Sequence, residues 1–229
     1  MTRSPFLSLL LPLVLVGLGC AKPEPKPVPK PAIQVRISSE PGNAAVFLAG
    51  HPLGATPQAV GVASVDDLLG MTATLNGEAM AEKRIRFLAM DQAEVIFYFD
   101  SHRSALGKTL GLSKMLVFDY GAGVTFAVSK ADLKPEFLPL LQRQAQVLKS
   151  HFEGLDLYIC GHTDSQGQAD SNLSLSVNRA RAVSLDLVGQ GIASSRMKVQ
   201  GFGSNYPVTT NDTPEGRAMN RRTEIILPQ

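Results

Sequence analysis

Residues 155–189, LDLYICGHTDSQGQADSNLSLSVNRARAVSLDLVG, decide the fold of the C-terminal half of the chain. Leu155, Leu157 and Ile159 alternate with other residues, and this period of two predicts a β-strand. From about Asn172 onward the apolar residues follow at helical spacing, which predicts an amphipathic helix that ends near Gly189. A polar loop joins the two, so the stretch predicts a strand–loop–helix unit.

The same alternation continues on both sides of this unit. A second helix is predicted from Pro135, because proline suits a first helical turn and apolar residues follow at three- and four-residue steps. A short third helix is predicted after Asp212, where a capping residue precedes proline. Strands are predicted at residues 115–118, 124–126, 197–200 and 223–227. Alternating strands and helices predict helices packed on one mixed sheet.

Residues 33–100 carry mostly β signals. Ile33, Val35 and Ile37 alternate with polar residues, and turn residues follow at 39–43. Residues 84–88 and 94–99 are predicted as closing strands, and no helical stripe lies between the early and late strands. The segment is therefore predicted to be all-β, with a polar linker at residues 101–112 after it.

The first 32 residues indicate export and a stalk. The apolar run that ends at Gly19 is shorter than the roughly 20 residues of a bilayer-spanning helix and suits a signal peptide over residues 1–19. Residues 16–20 resemble the lipobox of bacterial lipoproteins, which implies that Cys20 is acylated; ordinary cleavage nearby with a free Cys20 is the alternative. Alternate prolines from Pro23 to Pro31 predict a polyproline-II stalk within residues 20–32, and a spacer without fixed length is equally open.

Composition and residue clusters exclude several classes of function. The chain has 44% hydrophobic and 18% charged residues and a net charge of +2, which argues for a globular protein and against nucleic-acid binding. No metal-ligand spacing, Ser/His/Asp or Cys/His arrangement is present, so we expect no metal, no cofactor and no enzymatic activity. With Cys20 lipidated, Cys160 has no disulfide partner and is predicted to be a small buried hydrophobe, while His162 is predicted to be structural.

About the last 115 residues resemble the OmpA-like peptidoglycan-binding domain. The motifs that carry the resemblance occur in order at family spacing. They are Phe126 with Ala131-Asp132-Leu133-Lys134-Pro135, Gly161-His162-Thr163-Asp164, Gly167, Asn172, Leu175-Ser176, Arg179-Ala180, Val183, Gly201, Gly203, Pro207, Asn211, Glu215-Gly216-Arg217-Ala218, Asn220-Arg221-Arg222 and Glu224. The resemblance implies a βαβαβ domain over residues 113–229.

The resemblance also implies a ligand, the diaminopimelate of the peptidoglycan stem peptide, held by Asp164 and Arg179. A carboxylate can accept from the ligand's ammonium group, and a guanidinium can grip its carboxylate with two charge-assisted bonds. Gly161 and Gly167 are expected to let the backbone approach closely. The alternative is that Asp164 and Arg179 only pair with each other to fix the loop.

Four further residues are expected at or around this pocket. Asn172 is expected to cap the helix and touch the ligand, and Thr163 to support Asp164. Arg221 is expected to line the pocket or brace it, and Arg222 to brace it from behind.

Residues 33–100 resemble a PEGA domain, a small β-sandwich of envelope proteins. The resemblance rests on Ser38-Ser39-Glu40-Pro41, Ala44, Val46, Leu48, Gly50 and Leu53-Gly54-Ala55-Thr56-Pro57. Asn43 replaces a usual glycine and Ala49 a usual aspartate, but asparagine tolerates the left-handed backbone of a turn. The expected fold class is therefore α+β, a small all-β PEGA-like sandwich followed by the OmpA-like domain.

These resemblances imply a lipoprotein of the outer membrane that faces the periplasm and tethers the membrane to peptidoglycan without catalysis. Ala21 after the cysteine favours the outer membrane by family analogy. The alternative is an envelope scaffold whose PEGA-like segment docks a protein of a secretion or motility machine while the wall pocket serves as anchor. A hydrolase lacks a catalytic set, and a flagellar-type stator would need a longer spanning helix than the leader provides.

Overall fold

A computed structural model describes residues 33–121, 125, 126 and 129–229. The predicted signal peptide, Cys20 and the proline-rich stalk lie outside these residues. None of the helices within them combines the length and the apolar character that crossing a bilayer requires.

Two sheets contain the strands of the described residues. The strands are β1 Ile33–Glu40, β2 Ala45–Leu48, β3 His51–Ala55, β4 Gln58–Val62, β5 Met71–Thr74, β6 Met80–Ala89, β7 Gln92–Phe99, β8 Met115–Gly121, β9 Leu157–Gly161, β10 Met197–Gly201 and β11 Arg222–Pro228. Eight of them form one mixed sheet in the order β10-β9-β11-β8-β6-β7-β1-β4, and the others form a small sheet in the order β3-β2-β5. The predicted mixed sheet with helices is confirmed.

Five α-helices lie within the described residues. They are α1 Val65–Gly70, α2 Ala105–Thr109, α3 Leu138–His151, α4 Ala169–Gly189 and α5 Pro214–Asn220. Apolar residues of α3 and α4 share one core with Ile159 and Ile225 of the sheet, among others, so these two helices cover one face of its C-terminal part. The long helices match the predicted periodicity, but α4 begins three residues before Asn172.

Residues 33–100 differ from the all-β prediction because they include α1. The Ser64 hydroxyl accepts from the Asp67 N–H, and the Asp67 carboxylate accepts from the Ser64 N–H, which forms a capping box. This signal is readable in the sequence, but six residues are too short to show an apolar stripe. Asn43 takes a left-handed φ of 67°, as its turn requires.

The two predicted domains share a sheet. Strand β6 pairs in parallel with β8, with Glu82 opposite Met115 and Phe87 opposite Tyr120. The segment predicted as a linker carries α2, whose Leu106 is buried against Met115 of β8 and its neighbours. Local patterns could not reveal this pairing, because it joins strands that are separated by another strand and a helix. The domain boundaries stay a prediction.

Strand directions bring the start of the described chain to the same sheet edge as the loop after β9. Gly161, at the end of β9, pairs with Thr223 at the start of β11, and the pairing continues through β8 and β6 to Gln92 at the start of β7. Gln34 of β1 lies opposite Gln92. Ile33 and the loop after β9 therefore lie on one edge, five strand spacings apart, or about 24 Å.

Candidate functional site

The loop after β9 places the Asp164 carboxylate in a half-enclosed position. Its Oδ1 accepts from the Gln166 N–H at 3.0 Å, and its Oδ2 accepts from Arg221 Nη1 at 2.7 Å. The Asp164 side chain is 11% exposed and that of Arg221 is 28% exposed. Arg221 thus lines the site beside Asp164 and does not lie behind it.

Arg179 lies deeper, at the middle of α4, and only 2% of it is exposed. Its Nε donates to the Lys130 carbonyl at 3.0 Å, and its guanidinium carbon lies 5.1 Å from the centre of the Phe126 ring. Burial lowers the Arg179 pKa, the nearby charge of Arg221 lowers it further, and Asp164 partly opposes both effects. The Arg179 guanidinium is therefore held by its Nε and by the Phe126 ring, while its terminal nitrogens donate no hydrogen bond to any residue that the structure describes.

The alternative of a direct ion pair between Asp164 and Arg179 is wrong for the described residues. The carboxylate is paired with Arg221, whereas Arg179 is oriented by a backbone carbonyl and an aromatic ring. Two guanidinium groups and one carboxylate thus meet at the site. These three groups together carry a net charge of +1.

Asn172 fastens the loop to α4 but does not cap the helix. Gln168 is the N-cap residue, and Asn172 lies in the first turn of α4. Its Nδ2 donates to the Gln166 carbonyl at 2.8 Å and approaches the Asp164 carbonyl at 3.4 Å. The Asn172 side chain therefore donates its hydrogen bonds to the loop that carries Asp164. Its contact with a ligand stays a prediction.

Thr163 supports the loop through its backbone. Its N–H donates to the Gly203 carbonyl at 2.9 Å, while no hydrogen bond of its buried Oγ1 occurs among the described residues. Gly167 has a φ of +89°, and a methyl group at its Cα would meet nothing within 4 Å, so its value lies in the backbone conformation and not in close approach. The prediction of close approach at Gly167 was wrong; it holds at Gly161.

Gly161 allows α4 to lie directly on the end of β9. A Cβ at this position would be 2.0 Å from the Ser176 carbonyl oxygen. The same helix turn is held by the Ser176 hydroxyl, which accepts from the Gly203 N–H at 2.9 Å. This contact fixes the distance between the loop with Asp164 and the helix with Arg179.

A second loop closes the site beside Arg221. The fully buried Asn220 accepts from the N–H groups of Val208 and Thr209 and donates to Asn211 Oδ1 at 3.0 Å. Asn211 Oδ1 in turn accepts from the Ser165 N–H at 3.2 Å. This chain of amide hydrogen bonds joins the segment before β11 to the Asp164 loop and so connects the two walls of the site.

A buried charge network lies beneath these walls, and the sequence analysis missed most of it. It consists of Glu82, Arg84, Arg86, Asp119, Arg222 and Glu224, each at most 5% exposed. Arg222 Nε donates to Glu224 Oε1 at 2.7 Å, which places Arg222 behind the site, as expected. The available signal was a period-two run of charges at 82, 84 and 86 and an aspartate within the apolar strand β8.

His162 is a buried neighbour of this network. It is fully buried, its ring stacks on Phe202 with centres 5.6 Å apart, and its Nε2 lies 3.5 Å from Glu224 Oε2. That distance and geometry do not amount to a good hydrogen bond. Burial lowers the His162 pKa to about 4, and the charges of Arg222 and Arg84 add to the shift against the opposing effect of Glu224.

The lowered pKa predicts an acid-sensitive contribution to stability. His162 is protonated near pH 6.5 in the unfolded chain but only near pH 4 in the folded chain. Its contribution to the free energy of unfolding is therefore fully present above pH 6.5 and is lost as the pH falls toward 4. Between pH 7.5 and pH 5 we expect a loss of about 2 kcal/mol from this residue. Urea unfolding of wild type and His162→Gln at both values should show the loss in wild type only.

The control for this prediction is His51→Gln, because His51 lies exposed on β3. This variant should keep the wild-type loss between pH 7.5 and pH 5. An equal loss in His162→Gln and wild type would show that His162 does not cause the acid sensitivity.

Cys160 is the one cysteine among the residues that the structure describes. Cys160 is fully buried, and burial raises the pKa of its thiol, so the predicted role as a small hydrophobe fits its position. The described residues contain no cluster of His, Cys, Asp and Glu that could hold a metal ion.

Comparison with known proteins places this site within a family match. Residues 125–221, which include Asp164, Asn172, Arg179 and Arg221, match the OmpA family. The expected OmpA-like domain is thus supported over these residues. The PEGA resemblance of residues 33–100 stays a prediction.

Three curated proteins are similar to the C-terminal half. The probable lipoprotein YiaD of Escherichia coli is 40% identical over 112 residues, which is 49% of this chain and 51% of YiaD. The peptidoglycan-binding protein ArfA of Mycobacterium tuberculosis is 38% identical over 107 residues, 47% of this chain and 32% of ArfA. The peptidoglycan-associated lipoprotein of Pseudomonas aeruginosa is 35% identical over 100 residues, 44% of this chain and 58% of that protein. The chain thus spans about a third to somewhat over half the length of these relatives.

Proposed function

We propose that the chain binds peptidoglycan, without catalysis, through the diaminopimelate of the stem peptide. The observation that carries the proposal is the site itself, a carboxylate and two guanidinium groups at one end of the sheet. Asp164 accepts from the ligand's ammonium group, and Arg179, whose terminal nitrogens face no carboxylate among the described residues, grips the ligand's carboxylate. Arg221 adds a second positive charge and holds Asp164 in place.

The names of two relatives support the proposed binding of peptidoglycan. They are named as peptidoglycan-binding or peptidoglycan-associated, and the family match covers Asp164, Arg179 and Arg221. Neither name describes an enzyme, in line with the absence of a catalytic set in the sequence. Diaminopimelate as the ligand comes from the family resemblance, and the carboxylate and guanidinium groups of the site suit its charges.

The amino-terminal residues extend the proposal to a tether. Acylation of Cys20 would hold the protein in the outer membrane, and residues 21–32 would span the distance to the sheet. Two relatives are named lipoproteins, which supports an anchor of this type. Several acyl chains bind a membrane far more firmly than a single chain does, so the anchor would be lasting. Labelling with a radioactive fatty acid in wild type and Cys20→Ala tests the anchor, and equal labelling would refute it.

Binding to a defined stem peptide tests the proposed ligand. Protein without residues 1–20 is titrated calorimetrically with a diaminopimelate-containing stem peptide. Asp164→Ala and Arg179→Ala should each weaken binding at least about thirtyfold, because each leaves a charged ligand group without its partner. Asp170→Ala and Arg181→Ala are matched controls, since both residues are exposed on α4, and they should bind as wild type does.

A second ligand separates diaminopimelate recognition from general peptide binding. A stem peptide with lysine at the same position keeps the ammonium group but lacks the distal carboxylate. Weaker binding of the lysine peptide by wild type, with no difference in Arg179→Ala, would assign the carboxylate contact to Arg179. Folded wild-type protein that binds neither peptide would refute the proposal and leave the scaffold with a partner-docking segment as the remaining candidate.

A further inference from the structure

The N-terminal segment contributes a guanidinium group to the network beneath the candidate site. Arg84 belongs to β6, yet its Nη1 lies 3.1 Å from Asp119 Oδ2 of β8 and donates to Glu224 Oε1 of β11 at 2.5 Å. Its Nε and Nη2 donate to Glu82 Oε1 at 3.0 and 2.8 Å. Arg84 therefore joins residues 33–100 to two strands of the OmpA-like half.

Glu224 passes this connection to the walls of the site. Its Oε1 accepts from both Arg84 and Arg222, and Arg222 directly follows Arg221. The Arg222 carbonyl accepts from the His162 N–H at 2.9 Å, two residues before Asp164. Two contacts of Arg222, its side chain with Glu224 and its carbonyl with the His162 N–H, therefore lie next to the residues of the Arg221–Asp164 ion pair.

The charge balance of the network makes Arg84 hard to replace. Three carboxylates, Glu82, Asp119 and Glu224, are buried with three guanidinium groups, Arg84, Arg86 and Arg222. Loss of one buried partner leaves an uncompensated charge, which the surrounding structure relieves by moving or by admitting water. Arg222 would then be the only guanidinium left at Glu224 within the described residues.

We propose that Arg84 is a positioning residue for the wall-binding site, so that the N-terminal segment and the Asp164 loop are coupled. The inference rests on the proposed function for its binding readout only. The coupling runs through Arg84, Glu224 and Arg222 to the backbone that carries Arg221 and His162. Through this coupling, residues 33–100 influence how tightly the C-terminal site binds its ligand.

The test compares two arginines of the same strand. Arg84→Met removes the contact with Glu224, whereas Arg86→Met removes a buried arginine that shares Asp119 with Arg84 and contacts Glu94 in place of Glu224. Arg84→Met should weaken stem-peptide binding about tenfold, a typical size for a change within a coupled network. Arg86→Met should bind within about twofold of wild type, although it also lowers thermal stability.

Two readouts need no ligand, so they separate failure of the coupling from failure of the proposed function. Hydrogen exchange at residues 163–167 should be about tenfold faster in Arg84→Met and unchanged in Arg86→Met. The His162 ring, titrated by NMR, should show a higher pKa in Arg84→Met, because a nearby positive charge is gone. The groups facing this ring are Arg222 and Glu224 of β11 and Arg84 of β6, with Phe202 stacked on it.

The milder Arg84→Lys decides the question if Arg84→Met does not fold. It keeps the charge but loses the planar guanidinium group, so loop exchange should rise by a smaller factor while the His162 pKa stays close to that of wild type. Unchanged loop exchange in folded Arg84→Met or Arg84→Lys would overturn the inference, as would an unchanged His162 pKa in Arg84→Met or equal effects of the Arg84 and Arg86 variants. If wild type binds no stem peptide but Arg84→Met still differs from it in loop exchange and in the His162 pKa, the proposed ligand is refuted and the coupling is retained.

Discussion

Glu224→Ala is expected to lower the free energy of unfolding by about 3–5 kcal/mol, because it leaves two buried arginines without their shared partner. Burial alone would raise the pKa of the Glu224 carboxyl, but Arg222 and Arg84 hold it well below its usual range. The substitution therefore removes a negative charge from the network. The loss is a large share of the roughly 5–15 kcal/mol that stabilises a typical domain. Denaturant unfolding at neutral pH measures it.

Glu94→Ala is the matched control for Glu224. Glu94 also pairs with two arginines, Arg36 and Arg86, but its side chain is 23% exposed and that of Arg36 is 79% exposed. Partly hydrated pairs of this kind contribute about 0–1 kcal/mol. A loss in Glu224→Ala no larger than in Glu94→Ala would mean that the network does not stabilise the fold.

Gly161→Ala is expected to cost about 3 kcal/mol or more, at the upper end of the range for overpacked cores. The new methyl group would lie 2.0 Å from the Ser176 carbonyl oxygen and 2.8 Å from its carbon. These atoms belong to the backbone of α4, so they can yield only if the helix moves. Since Asn172 and Arg179 lie on this helix, stem-peptide binding should fall together with stability, as calorimetry and thermal unfolding can measure.

Gly121→Ala provides the comparison within the same sheet. Gly121 ends β8 opposite Arg222, and a Cβ there would have no atom of the described residues within 4 Å. Its substitution should change stability by no more than about 0.5 kcal/mol. Similar melting temperatures for the Gly161 and Gly121 variants would show that α4 does not need the close approach at β9.

The sequence predicts the parts of the fold that depend on local periodicity. The strand at 157–161, the two long helices and the last strand appear where the alternation of apolar residues placed them. The short helix α1 was missed because its six residues carry a capping signal but no stripe. The pairing of β6 with β8 was missed because no local pattern encodes which distant strand becomes a neighbour.

The candidate site shows the same division. Motif order identified Asp164, Arg179 and Arg221, and the structure places them around one end of the sheet. Their partners were not readable, because Arg221 takes the carboxylate that the sequence suggested for Arg179. The contact of Arg84 with Glu224 spans 140 residues, and charged residues in a strand are ordinarily expected to face solvent.

The shared sheet edge of Ile33 and the Asp164 loop has a mechanical consequence. A load between the proposed anchor before Ile33 and the proposed ligand at Asp164 would act across the strands, because both points lie at the same end of the strands, about 24 Å apart. We expect such a load to break the interstrand hydrogen bonds one after another from that end of the strands, and not all at once. We therefore expect tension between the two points to act first on the residue pairs at this end of the strands from β9 to β1, before it reaches the opposite end of the sheet.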